Sequence, residues 1–101
     1  MSGRVSIVEV GPRDGLQARR EPVETAARVE LIGMLRRAGI QRMEVGAFVS
    51  PQRVPRMADT AQVMEATGSR DRPGDMVLVA NMRGLEQALE ARARAIAVFT
   101  A

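Results

Sequence analysis

The sequence contains no cysteine, histidine, lysine, tryptophan or tyrosine. Each absence removes a class of chemistry. Without cysteine there is no disulfide framework, no thiolate nucleophile and no sulfur metal site. Without histidine the commonest general base and the commonest transition-metal ligand are both missing. Without lysine no Schiff base can form. Any metal must be held by oxygen, which selects a hard divalent cation such as Mg²⁺ or Mn²⁺. The only aromatic residues are Phe48 and Phe99, so the core is built from Val, Leu, Ile, Met and Ala. All 15 basic residues are arginine and the net charge is +3. These arginines are scattered and not interleaved with aromatics, which argues against nucleic-acid binding. No apolar run reaches membrane-spanning length, and the first residues lack the longer apolar stretch and small-residue cleavage site of a signal peptide. The expected location is the cytoplasm, with no membrane partner.

What is present is a globular composition. Apolar residues make up 46% of the 101 residues, enough for one small core. Residues 4–10 alternate and are β-branched, which predicts a strand stopped by Gly11-Pro12. Residues 13–22 read as a loop. A helix is expected from Thr25 to about Ala38, with Val29, Ile32 and Leu35 at helical spacing and Gly39 just past its end. A strand over Ile40–Val45 and a proline-containing loop follow. A helix is then expected over residues 59–66, a short strand over Met76–Val79, a helix over Met82–Arg94 and a strand over Ala95–Phe99. The order β-α-β-α-β-α-β implies an α/β fold with parallel strands. At roughly 25–30 residues per unit this is the cadence of a (β/α)₈ TIM barrel, of which about 250 residues make a whole, so the chain supplies a partial barrel, about half. A small doubly wound sheet would give the same string.

In parallel α/β folds functional side chains sit at the carboxyl ends of strands. Two such ends carry charge here. Arg13 and Asp14 follow the first strand, and Glu44 lies on the second. Alternation places Ile40, Arg42, Glu44 and Gly46 on one side of that strand and Gln41, Met43 and Val45 on the other. Glu44 then faces the interior, where a carboxylate needs a partner, and Arg13 is the nearest candidate. Asp14 offers a hard oxygen ligand, Arg13 a planar fork for a carboxylate or enolate oxygen, and Gln17 a neutral amide near the mouth. From spacing alone, Arg13–Asp14 could equally be a solvated loop pair with Glu44 half-exposed.

The residues then carry a resemblance. Val8-Glu9-Val10-Gly11-Pro12-Arg13-Asp14-Gly15-Leu16-Gln17 resembles the first strand of the 3-hydroxy-3-methylglutaryl-CoA (HMG-CoA) lyases. Met43-Glu44-Val45-Gly46-Ala47-Phe48-Val49-Ser50-Pro51 resembles their second strand and its loop. Val54 to Asp59 and Asn81 to Leu85 continue the match. Arg-Asp-Gly alone also fits isopropylmalate and homocitrate synthases; Gly-Pro before it and Leu-Gln after it favour the lyases. The resemblance implies a TIM barrel, of which residues 1–101 are a truncated N-terminal half. It also implies cleavage of HMG-CoA to acetyl-CoA and acetoacetate, as in leucine degradation, with Mg²⁺ or Mn²⁺. By position, Asp14 is implied as metal ligand, Arg13 as the catalytic, substrate-binding arginine on the enolate oxygen, Glu44 as its acidic support and Gln17 as a substrate contact.

The sequence departs from the family in three places. Ala47 stands where some members have serine, and Ala80 where proline often precedes the asparagine. The family's other ligands, a His-x-His pair and an asparagine, and its catalytic cysteine come from later strands and have no counterpart here. The chain alone is therefore expected to be inactive. Two other expectations stand beside the lyase: a non-catalytic half-barrel that associates as a homo-oligomer or with a partner, and a lyase or aldolase of the same superfamily acting on another acyl-CoA.

Overall fold

The computed structural model describes residues 3–50 and 52–98, without the side chain of Arg56. Three parallel strands form one sheet in chain order: β1 (Met43–Phe48), β2 (Asp75–Val79) and β3 (Ala95–Val98). Helix α1 (Thr25–Arg37) precedes β1, α2 (Thr60–Thr67) joins β1 to β2, and α3 (Met82–Glu90) joins β2 to β3. One core holds them together. Ile32 of α1, Val63 and Met64 of α2 and Ala88 of α3 pack on Met43, Val45, Phe48, Val77 and Val79. All three helices thus cover the same face of the sheet. The opposite face carries Glu44 and Met76, which are neighbours in register. A parallel sheet with helices on one side, α/β throughout, is an arc of a (β/α)₈ barrel.

The ends of the elements have local causes. Gly39 follows α1 with φ +98°, a left-handed conformation that a Cβ would disfavour, and Gly68 does the same after α2 with φ +69°. Asn81 caps α3 by accepting the Gly84 N–H at 2.8 Å. That helix ends at Glu90, earlier than Arg94, because Arg92 turns left-handed at φ +64°. Strand β1 begins at Met43 and runs through Phe48, three residues later than its alternation suggests, because pairing with β2 starts at Asp75. Phe99 lies outside the described residues.

The expected strand over residues 4–10 shrinks to a single parallel bridge, Glu9 to Met43. The Glu9 N–H donates to the Arg42 carbonyl at 3.0 Å, and the Glu9 carbonyl accepts from the Glu44 N–H at 2.9 Å. Upstream, Val5 and Ile7 are 92% and 76% exposed, so nothing packs on the alternating residues to hold them in a sheet. The sequence pattern was that of a strand, but the packing that fixes one is confined to Glu9.

Candidate active site

The segment after Glu9 is wound, not looped. Gly11–Gly15 form one wide helical turn in which the N–H groups of Arg13, Asp14 and Gly15 converge on the Val10 carbonyl at 3.2, 2.7 and 3.2 Å. Pro12 is buried beneath it. The Glu9 carboxylate closes the other end by accepting the Gly11 N–H at 3.0 Å. Glu9 therefore sets the turn both through its backbone and through its side chain. Its place two residues before Gly11 was the hint of this in the sequence.

The turn presents Arg13 to β1. Arg13 Nε and Nη2 both lie 2.7 Å from Glu44 Oε1. The two side chains are 16% and 13% exposed, so the pair is largely withdrawn from water and stronger than a surface bridge. Asp14 points outward. Its side chain is 63% exposed, with Oδ1 3.3 Å from Arg13 Nη1. The Gln17 side-chain oxygen is buried and, among the described residues, accepts no hydrogen bond. Arg13, Asp14 and Glu44 thus meet at one place, at the carboxyl end of Glu9 and on the uncovered face of β1.

One expected orientation is overturned. Gly46 does not share a face with Glu44. Pairing to β2 slips between Glu44 and Gly46, so Val45 is an extra residue and a β-bulge interrupts the alternation. Gly46 then sits opposite Val77 beneath Thr60, whose side-chain atoms would lie 2.6 Å from any Cβ placed there. An isolated glycine inside a strand pattern is the signal that marks such a bulge.

An oxygen-preferring cation fits this site only in part. Asp14 supplies an exposed carboxylate of the right type, but among the described residues no group of three or more Asp, Glu, His or Cys side chains converges on a common point. These residues could provide a first ligand and not a coordination shell. Also among the described residues, no helix is long and apolar enough to cross a membrane.

A family model described as HMGL-like matches residues 4–101. The chain belongs to the HMGL-like family. One curated relative, the 3-hydroxy-3-isohexenylglutaryl-CoA/hydroxy-methylglutaryl-CoA lyase of Pseudomonas aeruginosa, is 47% identical over 100 residues, 97% of this chain and 33% of its own. The crystal structure of the HMG-CoA lyase from Brucella melitensis superposes with a TM-score of 0.88 at 44% identity, over 97% of this chain and 35% of that one. An HMG-CoA lyase from Acinetobacter baumannii, solved with coenzyme A and 3-methylmalate, gives 0.85 at 33% identity over 92% of this HMGL-like chain and 30% of its own. The chain thus spans about a third of the length of the relatives it matches. The partial barrel expected from its cadence is the fold it has.

Proposed function

We propose that this HMGL-like chain is the N-terminal portion of a carbon–carbon lyase that cleaves HMG-CoA to acetyl-CoA and acetoacetate. The observation that carries the reading is the Arg13–Glu44 pair, an oriented guanidinium at a strand end with Asp14 beside it. In the cleavage the substrate's tertiary hydroxyl loses its proton and becomes the ketone of acetoacetate. The bond to the neighbouring methylene breaks, and its electron pair passes to the thioester as an enolate, which takes a proton to become acetyl-CoA. Arg13 donates to the enolate oxygen as charge develops there. Glu44 holds the guanidinium plane so that its remaining donors face the substrate. Gln17 is the proposed substrate contact, which requires its buried amide to turn outward. Asp14 is the ligand this chain would give to Mg²⁺ or Mn²⁺, which when bound polarises substrate oxygens.

Substrate class follows the relatives, whose names specify acyl-CoA lyases. The Pseudomonas aeruginosa name covers a branched isohexenylglutaryl-CoA as well as HMG-CoA, so a larger acyl group is the second reading. Both are tested by supplying each thioester with Mg²⁺ to the full protein that carries these residues and following acetoacetate, or its homologue, against acetyl-CoA. Equal release of the two products is expected. An open reading frame through these residues with no downstream His-x-His pair, or no keto acid above a metal-free blank, overturns the reading. The 101-residue chain alone is expected to release none.

A further inference from the structure

Strand β1 must meet two demands four residues apart. Glu44 faces the uncovered side, where it binds Arg13, and Phe48 faces the helices, where it joins the core. In a regular strand residues i and i+4 point the same way. The bulge at Val45 removes the conflict. Glu44 pairs with Met76, Gly46 with Val77 and Phe48 with Val79, so the strand changes face between the site and the core. Without the extra residue, either Glu44 would turn into the core or Phe48 would leave it.

A bulge disrupts the local ladder, and its backbone groups need other partners. Two helices supply them. Arg28 of α1, 1% exposed, reaches the Val45 carbonyl with Nη2 at 3.4 Å and pairs through Nη1 with Asp59 at the head of α2. Asp59 also accepts from the Thr25 hydroxyl. Next to it, the Thr60 hydroxyl accepts the Ala47 N–H at 3.2 Å and lies 3.0 Å from the Ala47 carbonyl. Burial pushes the pKa of the Arg28 guanidinium down from its ordinary value, a cost that an apolar side chain would avoid. Buried ion pairs commonly add little stability compared with apolar residues of the same volume. What this pair does that an apolar pair cannot is hold a carbonyl at a fixed place.

We propose that Arg28 and Asp59 are positioning residues for Arg13. They pin the bulge at Val45, the bulge sets the direction of Glu44, and Glu44 orients the guanidinium. The catalytic meaning of this chain rests on the lyase reading, whereas the mechanical linkage does not. Arg28→Lys is the informative variant, because one ammonium can keep the charge pair with Asp59 but cannot also serve the Val45 carbonyl in the same planar geometry. Asp59→Asn is the second.

The linkage is read in the ¹⁵N-labelled full protein from solvent exchange of the Arg13 Nε–H, with the Leu78 and Val79 amides, beyond the bulge, as the reference for the fold. In both variants Arg13 Nε–H exchange is expected to rise about tenfold, equivalent to roughly 1.4 kcal/mol, with the two β2 amides unchanged. Unchanged Arg13 exchange overturns the proposal. So does loss of protection at β2 in parallel with Arg13, which makes the pair a general stabiliser, and so does an Arg13 Nε–H already unprotected in the parent chain. No substrate enters this measurement. An inactive full protein with a coupled Arg28 therefore refutes the lyase reading alone, and an active one with an uncoupled Arg28 refutes this inference alone.

Discussion

Arg13 is the residue on which the proposed chemistry turns, and its position depends on partners that differ in how readily they are seen. Arg13, Asp14 and Glu44 could be read from the sequence because charged residues at strand ends are conspicuous and their spacing repeats a known motif. Glu9, Arg28 and Asp59 could not. Arg28 stands one turn before Ile32 on the apolar face of α1, where an arginine is out of place, yet only the fold brings it to Asp59. If Arg13 donates to the enolate, Arg13→Gln in the full protein should lower kcat by about 10²- to 10³-fold, the usual loss for one oxyanion donor, with a smaller effect on KM. Steady-state kinetics with HMG-CoA tests this, and a change in KM alone would assign Arg13 to ground-state binding. Glu44→Gln should lower kcat in the same direction but less, because the donor remains and only its orientation is lost.

Among the elements, the helices were legible because terminal glycines and 3.6-residue periodicity are local signals, and β2 because a short apolar run between turns is one too. The start of β1 and the loss of the first strand were not, since a strand needs a partner and partners are set by tertiary packing. Contacts between elements are tight at Gly46, beneath Thr60, and at Gly84. A Cβ on Gly84 would sit 2.4 Å from the Phe48 carbonyl, where α3 presses on the end of β1. Gly84→Ala should therefore push α3 away and cost about 1–3 kcal/mol, seen as a lower urea midpoint. A second clamp joins α1 to β2. Asp75, with a side chain 3% exposed, accepts from Arg36 and from the Ser69 hydroxyl at 2.8 Å. Asp75→Ala takes the carboxylate from a largely buried Arg36, which keeps its bond to the Thr67 carbonyl, and should cost about 3 kcal/mol. Asp75→Asn, which keeps an acceptor, should cost less, and equal losses in the two would remove the charge from the explanation.

At the scale of the molecule, the described helices leave apolar side chains of the edge strand β3 exposed. Ile96 and Val98 lie level with Val77 and Val79 and so face the helix side, yet they are 39% and 68% exposed, as Leu89 of α3 is at 65%. Exposed apolar side chains on an edge strand favour association. The paired change Ile96→Thr and Val98→Thr should reduce concentration-dependent light scattering while shifting the thermal midpoint only slightly. Scattering that persists would place the sticky surface elsewhere. The wide turn on the Val10 carbonyl also governs where a protease can cut. Because every cation in the chain is an arginine, trypsin can test the whole fold. Arg4, in the unpacked stretch before Glu9, and the exposed Arg19 and Arg53 should be cut first, whereas Arg13, tied into its turn and held by Glu44, can be cut only after that turn unwinds. The order in which the arginyl bonds yield to a protease is thus a direct record of how often the site comes apart.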